Sequence, residues 1–470
     1  MFAIPRRTAR WVQVATCLGF FMVLMDISVV NVALQALHEE LSADITALQW
    51  VVNGYALVFA SLLLTAGTLG DRLGAKRLFM LGFGLFSAAS LGCALAPGLA
   101  ALVGWRLVQG LGAALLVPTS LSLLQQAFDN DHERSRAVGW WGAGGAVALA
   151  AGPVVGGLLI TAFGWRSLFF INVPVGMIGL WLAASYAPRS PVQPLRSLDI
   201  PGQCLAALTM ASFTFALTQA SQWGWSSPMI VQALIGSLLL AALFIWRQSR
   251  AARPMLPLGL FRAAALRSAV VIGLVANLVF YGVVFTLSLY FQGIEQFTPE
   301  QAGLAFLPMM AVLMLINILA GRLTRRVGPR CLATSGLLIS AVGYLLLIPA
   351  LAMPGFGWLI VPMLLAGGGI ALTIPTITTA TLASVPGELA GIASGLLNAA
   401  RQVGGIIGVA WFGYLVRDPA PQAFRLGLRE ALFVAVATLL LAAVAAFRGL
   451  PAATGGERAP LARATTGSTG

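Results

Sequence analysis

Charged residues are scarce in this chain. Only 9% of its 470 residues are Asp, Glu, Lys or Arg, whereas 59% are hydrophobic. Soluble domains carry about 25% charged residues, so the composition excludes an ordinary soluble protein. Apolar runs of about twenty residues recur along the whole length, and each can cross a bilayer core of about 30 Å. The sequence therefore predicts an all-α polytopic membrane protein.

Side chains that bind metals or act as nucleophiles are also few, with two histidines and four cysteines. His38 and His132 fall in predicted loops and the cysteines have no paired spacing, so neither a metal site nor a disulfide framework is expected. The chain lacks a phosphate-cradling loop followed by Lys-Ser/Thr and a zinc-protease pair of histidines. An integral membrane enzyme is therefore disfavoured, and no cofactor or ATP is expected.

The net charge of +13 would suit a nucleic-acid partner, but the positions of the basic residues argue against one. Most lie near the two termini or in alternate short loops, while Arg106 and Arg401 lie inside predicted spans. The basic residues predicted to lie on the other side of the membrane are Arg166, Arg417, Arg425 and Arg429. This asymmetry follows the positive-inside rule, which predicts a multi-pass protein of the cell (inner) membrane with both termini in the cytoplasm.

The apolar runs number fourteen, and connections rich in Pro and Arg at 188–198 and 247–268 set the seventh and eighth apart. The predicted parts are an N-terminal six-helix bundle (1–187), two inserted transmembrane helices with cytoplasmic linkers (188–267), a C-terminal six-helix bundle (268–448) and a disordered cytoplasmic tail (449–470).

An internal repeat supports two related halves. Residues 67–77 (GTLGDRLGAKR) recur in degraded form at 321–331 (GRLTRRVGPRC), and each segment joins two apolar runs. The glycine-rich stretch 152–157 pairs with 404–409 at nearly the same separation, about 250 residues. Transporters are commonly built from such repeats.

Six segments, in order along the chain, carry further patterns. They are 25–34, 67–77, Arg106 with Gln109, Gly110 and Gly112, 151–157, 165–174 and 398–405. Together they resemble the major facilitator superfamily, in particular its fourteen-span drug:proton antiporter branch. The resemblance implies two pseudo-symmetric six-helix bundles that alternate access to a central site. Gln35 stands where that branch usually has proline, and no acidic residue lies deep within spans nine to fourteen, so the proton stoichiometry stays open.

Asp26 is the one carboxylate deep in a predicted span, and such a charge usually marks a proton or ion path. At 1.5 Å rise per residue, Asp26 and Arg106 lie about 12 and about 8 Å from the outer ends of spans one and four, so their depths match. A nearby arginine favours the ionised carboxylate, whereas burial favours the neutral form. The two are predicted to couple protons, with a permanent structural ion pair as the alternative. Gln109, one turn from Arg106, is predicted to contact substrate or to bond between helices.

Polar and aromatic side chains in spans two, nine and thirteen are the other candidates for a substrate cavity. They are Asn53, Tyr55, Asn277, Phe280, Tyr281, Asn398 and Arg401. For Arg401, a structural role with bonds to carbonyls or asparagines is favoured over ligand binding. Two intramembrane arginines against one aspartate leave a positive balance, so the substrates need not be cations.

The resemblance also implies gating residues. In the cytoplasmic loop they are Gly67, Gly70, Asp71, Arg72, Gly74, Lys76 and Arg77, and in span five they are Gly152, Pro153, Gly156 and Gly157. The loop would latch the inner side shut, and the Gly-Pro stretch would let its span rock. The alternatives are a solvated turn that serves only topology and a kink that serves only packing.

The function that these features predict is proton-coupled export of lipophilic small molecules by alternating access. The alternatives are a proton symporter that imports a metabolite and a non-transporting membrane receptor. A monomer in the bilayer is expected, with a small-molecule substrate and protons as partners. Whether a periplasmic adaptor binds is left open.

Overall fold

The computed structural model describes residues 6–128, 130–188, 199–251, 254–386 and 389–452, and all regular structure in these ranges is helical. The predicted linker 188–198 and tail 449–470 lie mostly outside the described residues. The helices of the first part are α1 (Arg6–Val32), α2 (Leu34–Leu41), α3 (Ile45–Leu73), α4 (Ala75–Ala94), α5 (Leu99–Ala127), α6 (Asp131–Phe163), α7 (Ser167–Phe170) and α8 (Asn172–Tyr186).

The elements after α8 form the inserted pair and the second half. They are α9 (Ile200–Trp223), α10 (Pro228–Arg250), a short 3₁₀ helix (Leu258–Arg262), α11 (Ala264–Leu289) with a π-helical turn (Tyr290–Ile294), α12 (Pro299–Ala305), α13 (Leu307–Val327), α14 (Pro329–Ala350), α15 (Gly357–Ala383), α16 (Ala390–Leu415) and α17 (Pro421–Gly449).

The internal repeat is visible in the backbone. Gly74 joins α3 to α4 with φ +94°, and Gly328 joins α13 to α14 with φ +86°. These glycines hold corresponding positions of the repeated turn. Residues other than glycine rarely adopt a backbone conformation with positive φ. The turn therefore ends one helix and starts the next in the same way in both halves.

The predicted count of fourteen spans is not confirmed. Within the described residues, twelve helices are long and apolar enough to cross a membrane, or thirteen if the bent pair α12–α13 is one span. The prediction placed a span at 391–416, where α16 lies. This helix has 26 residues but carries Asn398, Arg401 and Gln402, which lower its hydropathy.

The helix ends define two faces of the molecule. At one face, Trp11 at the start of α1 stacks on Tyr186 at the end of α8, with ring centroids 5.7 Å apart. At the same face of the second half, Arg330 at the start of α14 donates to the carbonyl oxygen of Leu450, 2.8 Å away, just after α17. We name this the terminal face and the other the opposite face.

Helices α9 and α10 connect to both halves. Near the terminal face, Thr65 of α3 donates to Gln203 of α9, and Phe244 of α10 packs with Leu260 of the 3₁₀ helix. Near the opposite face, Trp225 lies 6.0 Å from the ring of Trp411 of α16. The inserted pair thus bridges α3 of the first half and α16 of the second.

Candidate functional site

A buried ion pair lies at the centre of the first half. Asp26 of α1 is 0% exposed and Arg106 of α5 is 1% exposed, and Nη1 of Arg106 donates to Oδ2 of Asp26. The sequence analysis placed both residues at similar depth, and the structure brings them together. Nε of Arg106 also donates to the carbonyl oxygen of Val51, 3.0 Å away on α3, so the guanidinium joins three helices.

Further polar side chains complete the network around Asp26. Oδ1 of Asp26 accepts from Gln109 at 2.8 Å and from Asn172 of α8 at 3.2 Å. Ser90 of α4 accepts from the same two amides at 3.3 and 3.0 Å. Gln109 also accepts from Arg106 at 2.8 Å. Both oxygens of Asp26 therefore have protein donors, and the buried charges are paired as burial requires.

Sequence reasoning missed Asn172 and Ser90 as partners of Asp26. Asn172 belongs to one of the recognised segments, and a buried asparagine within an apolar span was the available signal. Ser90 gave no signal, because a serine also bonds readily to its own helix. Gln109 was predicted as a substrate contact or a bond between helices, and here it bonds between helices.

A small cavity of about 20 Å³, with room for about one water molecule, lies beside this network between the two halves. Its lining residues are Ile27, Val30, Val52, Asn53, Tyr55, Ala56, Arg106, Tyr281, Gln402, Gly405 and Val409. Tyr55 lies against the guanidinium of Arg106, with 4.4 Å between the ring centroid and Cζ, a favourable cation–π contact. The cavity is apolar with few polar groups, as small-molecule sites usually are.

Three of the predicted cavity residues, Asn53, Tyr55 and Tyr281, line this space. Two others do not. Asn277 donates to the carbonyl oxygen of Gly273 one turn back, at 2.9 Å, and Phe280 is 4% exposed and packs in the apolar core. Asn277 lies one turn before Tyr281 on the same face, but its amide is bonded to its own helix. Phe280, the residue next to Tyr281, points to a different face of the helix.

Arg401 and Asn398 lie beside the cavity on α16 rather than in its lining. Nη1 of Arg401 donates to Oδ1 of Asn398 at 3.2 Å, which is the asparagine bond that the sequence analysis favoured. Nε of Arg401 is buried and has no hydrogen-bond partner. Gln402, the next residue, lines the cavity and was not predicted to.

The halves are joined toward the opposite face by hydrogen bonds that sequence reasoning missed. Gln49 of α3 donates to Val409 (3.3 Å) and Ala410 (3.1 Å), Ser288 of α11 donates to Asn31 (2.5 Å), and Gln292 donates to Val32 (3.1 Å), each time to a backbone carbonyl oxygen. Every acceptor is a main-chain group, so motifs of side chains could not reveal them. These bonds hold the two halves together on the opposite-face side of the cavity.

Residues 16–409 match the family model of the Major Facilitator Superfamily, which is more than half of the chain. The chain belongs to this superfamily.

Characterised relatives of this superfamily member carry names of resistance and efflux proteins. It is 38% identical to the methylenomycin A resistance protein of Streptomyces coelicolor, over 86% of this chain and 85% of that protein. It is 36% identical to the multidrug resistance protein Stp of Mycobacterium tuberculosis, over 87% and 76%. It is 33% identical to the tetracenomycin C resistance and export protein of Streptomyces glaucescens, over 89% and 79%.

Solved structures of transporters share the fold. A D-xylose-proton symporter aligns with a TM-score of 0.70 at 15% identity, over 95% of this chain and 99% of that one. A bacterial homologue of the lysosomal transporter Spinster aligns with a TM-score of 0.67 at 17% identity, over 94% and 97%. At such low identity the likeness shows the fold alone. The protein is thus a multi-pass membrane protein of a transporter superfamily, with no indication of an enzyme in its family or relatives.

The superfamily loop at 67–77 ties helices of the first half together. Nζ of Lys76 donates to the carbonyl oxygens of Ala184 (2.9 Å) and Ala187 (2.8 Å) at the end of α8. Arg72 and Arg77 are exposed, and the side chain of Asp71 lies outside the described residues. Gly67 and Gly70 face α5, where a Cβ on Gly70 would lie 3.2 Å from Thr119. Latching of the inner side by this loop stays a prediction.

The Gly-Pro stretch of α6 packs closely against two helices. A Cβ on Gly152 would collide with Ser28 of α1, and one on Gly156 would lie 3.3 Å from Val29. A Cβ on Gly157 would lie 2.5 Å from the carbonyl oxygen of Pro299 of α12. Pro153 lies inside a helix that continues on both sides of it. The close approach of α6 to α12 is a contact between the two halves.

Proposed function

We propose that the protein is a proton-coupled antiporter that exports lipophilic small molecules by alternating access. The observation that carries this proposal is the buried Asp26–Arg106 pair at the wall of a cavity between two halves, since Arg106 itself lines that cavity. A titratable group in contact with the substrate space can link proton binding to substrate binding. The names of the resistance and export relatives support a toxic small molecule as the cargo.

The mechanism follows from the network around Asp26. Protonation of Asp26 removes the negative charge that attracts Arg106. It also weakens Asp26 as the hydrogen-bond acceptor of Gln109 and Asn172. Removing one charge of a buried pair is worth about 3–5 kcal/mol, which approaches the value of about 5.5 kcal/mol that moves a two-state equilibrium from 1:99 to 99:1. The network joins α1, α4, α5 and α8. A change in the protonation of Asp26 therefore affects the packing of four helices of the first half.

Orientation and driving force complete the proposal. The terminal face, with both chain ends, lies in the cytoplasm of the inner membrane, and the opposite face opens to the outside. The chain works as a monomer with fourteen spans, in which α12–α13 and α16 each cross once. Asp26 is the single carboxylate of the site, so one proton enters for each substrate exported. No ATP or other cofactor takes part.

The test uses the purified full chain in proteoliposomes with an imposed pH gradient and the dyes ethidium and Hoechst 33342 as probes. We expect Asp26→Asn to lose gradient-driven transport by at least about tenfold, because the proton-binding group is gone. Exchange of internal for external dye should persist. Glu295→Gln, which removes a surface carboxylate that pairs with Arg425, is the matched control and should transport normally.

Gradient-driven transport by Asp26→Asn at the wild-type rate would contradict proton coupling through this residue. Accumulation of dye in the same direction as the protons would instead indicate the symporter alternative. Elution of each variant from a sizing column as the wild type does would show that folding is intact.

A further inference from the structure

The charges of the described spans do not balance at the cavity. Arg106 is neutralised by Asp26, but Arg401 has no carboxylate within ion-pair distance in the described part of the chain. Its Nη1 has a neutral partner, Asn398, and its buried Nε has none. One positive charge with unused donors is therefore left in the membrane, where an unpaired charge is unfavourable.

Negative charge, by contrast, is not available to a ligand. Both oxygens of Asp26 are engaged, Oδ2 by Arg106 and Oδ1 by Gln109 and Asn172. A cationic substrate would have to displace these donors. The site therefore has a cation without a carboxylate partner in the described part of the chain, and no free carboxylate.

Arg401 is held at the edge of the cavity by its surroundings. Gln402, its neighbour, and Gly405, one turn further toward the opposite face, both line the cavity. Tyr281 of α11 covers Gly405, where a Cβ would lie 3.1 Å from the ring. The stem of Arg401 lies against Gly273, where a Cβ would lie 3.2 Å from its Cγ. The stem of Arg401 is thus held between α11 and α16, beside residues that line the cavity.

The facing wall carries two more polar atoms without a hydrogen-bond partner in the described part of the chain. They are Oδ1 of Asn53 and the hydroxyl of Tyr55, whose side chains are at most 1% exposed while lining the cavity. Nδ2 of Asn53 donates to Thr218 of α9 at 3.2 Å, which leaves Oδ1 as an acceptor. Buried polar atoms without partners are rare in proteins, and a ligand is one way to satisfy them.

We propose that Arg401 binds the carboxylate of lipophilic monoanionic substrates, while Asn53 and Tyr55 bond to a polar group elsewhere on the same molecule. The planar guanidinium suits a carboxylate because two parallel N–H donors match its two oxygens. The inference rests on the proposed export function and names its substrate class. Exchange of a monoanion for one proton moves two charges per cycle in the same sense, whereas exchange of a monocation for one proton moves none.

The test compares pyrenebutyrate with its neutral amide, pyrenebutyramide, on the purified full chain in lipid nanodiscs, with energy transfer from tryptophan to pyrene as the binding signal. We expect the wild type to bind the carboxylate at least about tenfold more tightly, as a charge-assisted bidentate pair predicts. Arg401→Gln should bring the ratio below about twofold and leave the amide affinity within about threefold. Arg417→Gln, at an exposed arginine outside the site, should keep the wild-type ratio.

A wild-type ratio below about twofold, or a full preference for the carboxylate in Arg401→Gln, would overturn the inference. If Arg401→Gln does not elute as the wild type does, Arg401→Lys decides, because lysine keeps the charge but not the paired donors. A drop in carboxylate affinity of at least about threefold supports the inference, and an unchanged affinity overturns it.

A second measurement separates this inference from the proposed function. In proteoliposomes, a potassium potential set with valinomycin should change the rate of pyrenebutyrate transport and leave that of ethidium unchanged. Arg401-dependent binding of the carboxylate without any pH-driven transport would refute proton antiport and leave the carboxylate site standing.

Discussion

Gln49 and Ala410 join the two halves, since Nε2 of Gln49 lies 3.1 Å from the carbonyl oxygen of Ala410. The side chain of Gln49 is 0% exposed, and Ser221 of α9 donates to its Oε1 at 3.1 Å. One buried amide thus connects the first half, the second half and the inserted pair. A Cβ on Gly413 of α16 would collide with this amide, so the contact needs that glycine.

Gln49→Ala should favour the conformation that is open at the opposite face. It removes the bonds to Val409 and Ala410, each worth about 0.5–1.5 kcal/mol, and so shifts the equilibrium by about tenfold. The measurement is the rate at which Val30→Cys, in a chain whose four cysteines are replaced by serine, reacts with a membrane-impermeant maleimide from the opposite face. The exposed Gln222 of α9 provides the control Gln222→Ala, which should leave the rate as it is. Equal rates for both variants would mean that Gln49 does not hold this face closed.

Gly157→Ala should separate α6 from α12 at the same face. The added Cβ meets the carbonyl oxygen of Pro299 and the Cα of Glu300 at 2.5 and 2.9 Å, and backbone atoms cannot yield as a flexible side chain does. Overpacking of this kind destabilises by about 1–3 kcal/mol. The control is Gly144→Ala in the same helix, where a Cβ has nothing within 4 Å. Thermal unfolding in detergent should fall for the first variant only, and an equal fall for both would point to a general effect on α6.

Lys76→Met should weaken the attachment of α8. The ammonium group donates to two carbonyl oxygens at the end of that helix, where a positive charge also interacts favourably with the helix dipole. We expect a loss of about 1–2 kcal/mol in stability, measured by thermal unfolding. Arg77→Gln removes an exposed charge one residue away and should have a smaller effect. A larger loss for Arg77→Gln would show that the loop acts through its exposed arginines.

Glu40 should make a small contribution to the free energy of unfolding, and this contribution should depend on pH. Its hydrogen bond with Arg166 lowers the pKa of the carboxyl from its usual 4.5, and Trp165 donates to the other oxygen at 2.8 Å. A lowered pKa stabilises the fold at pH values above about 4.5, and the stabilisation is lost as pH falls through the lowered pKa. Because the pair is exposed, Glu40→Gln should cost less than about 1 kcal/mol at pH 7, and the cost should decrease as the pH falls through the lowered pKa.

The control for that experiment is Glu39→Gln, which removes the same charge from a residue whose bond is to the neutral Gln35, 2.8 Å away. At pH 7, Glu40→Gln should unfold at a lower temperature than the wild type, and Glu39→Gln should lose less. The difference between Glu40→Gln and the wild type should shrink as the pH is lowered, and a difference independent of pH would contradict an origin in the carboxyl charge.

Sequence reasoning identified the residues whose chemistry is unusual for their predicted surroundings. Asp26 and Arg106 are charges in apolar spans, and their matching depth follows from the rise of a helix, so their pairing could be predicted. The repeated turn could be predicted because glycine is required at its positive φ. Asn277 and Phe280 were misplaced, because the hydrophobic pattern of a fully buried helix such as α11 does not tell which face meets the cavity.

The sequence by itself determined the class of protein, the duplicated halves and the residues that bear charge within the membrane. These depend on composition, spacing and helical rise, which are local properties. Only the tertiary structure decided that Asn172 and Ser90 complete the network of Asp26, that Arg401 has no acidic partner among the described residues, and that Gln49 bonds across the two halves. These depend on which helices are neighbours and on backbone carbonyl acceptors, and every residue carries the same carbonyl group whatever its side chain.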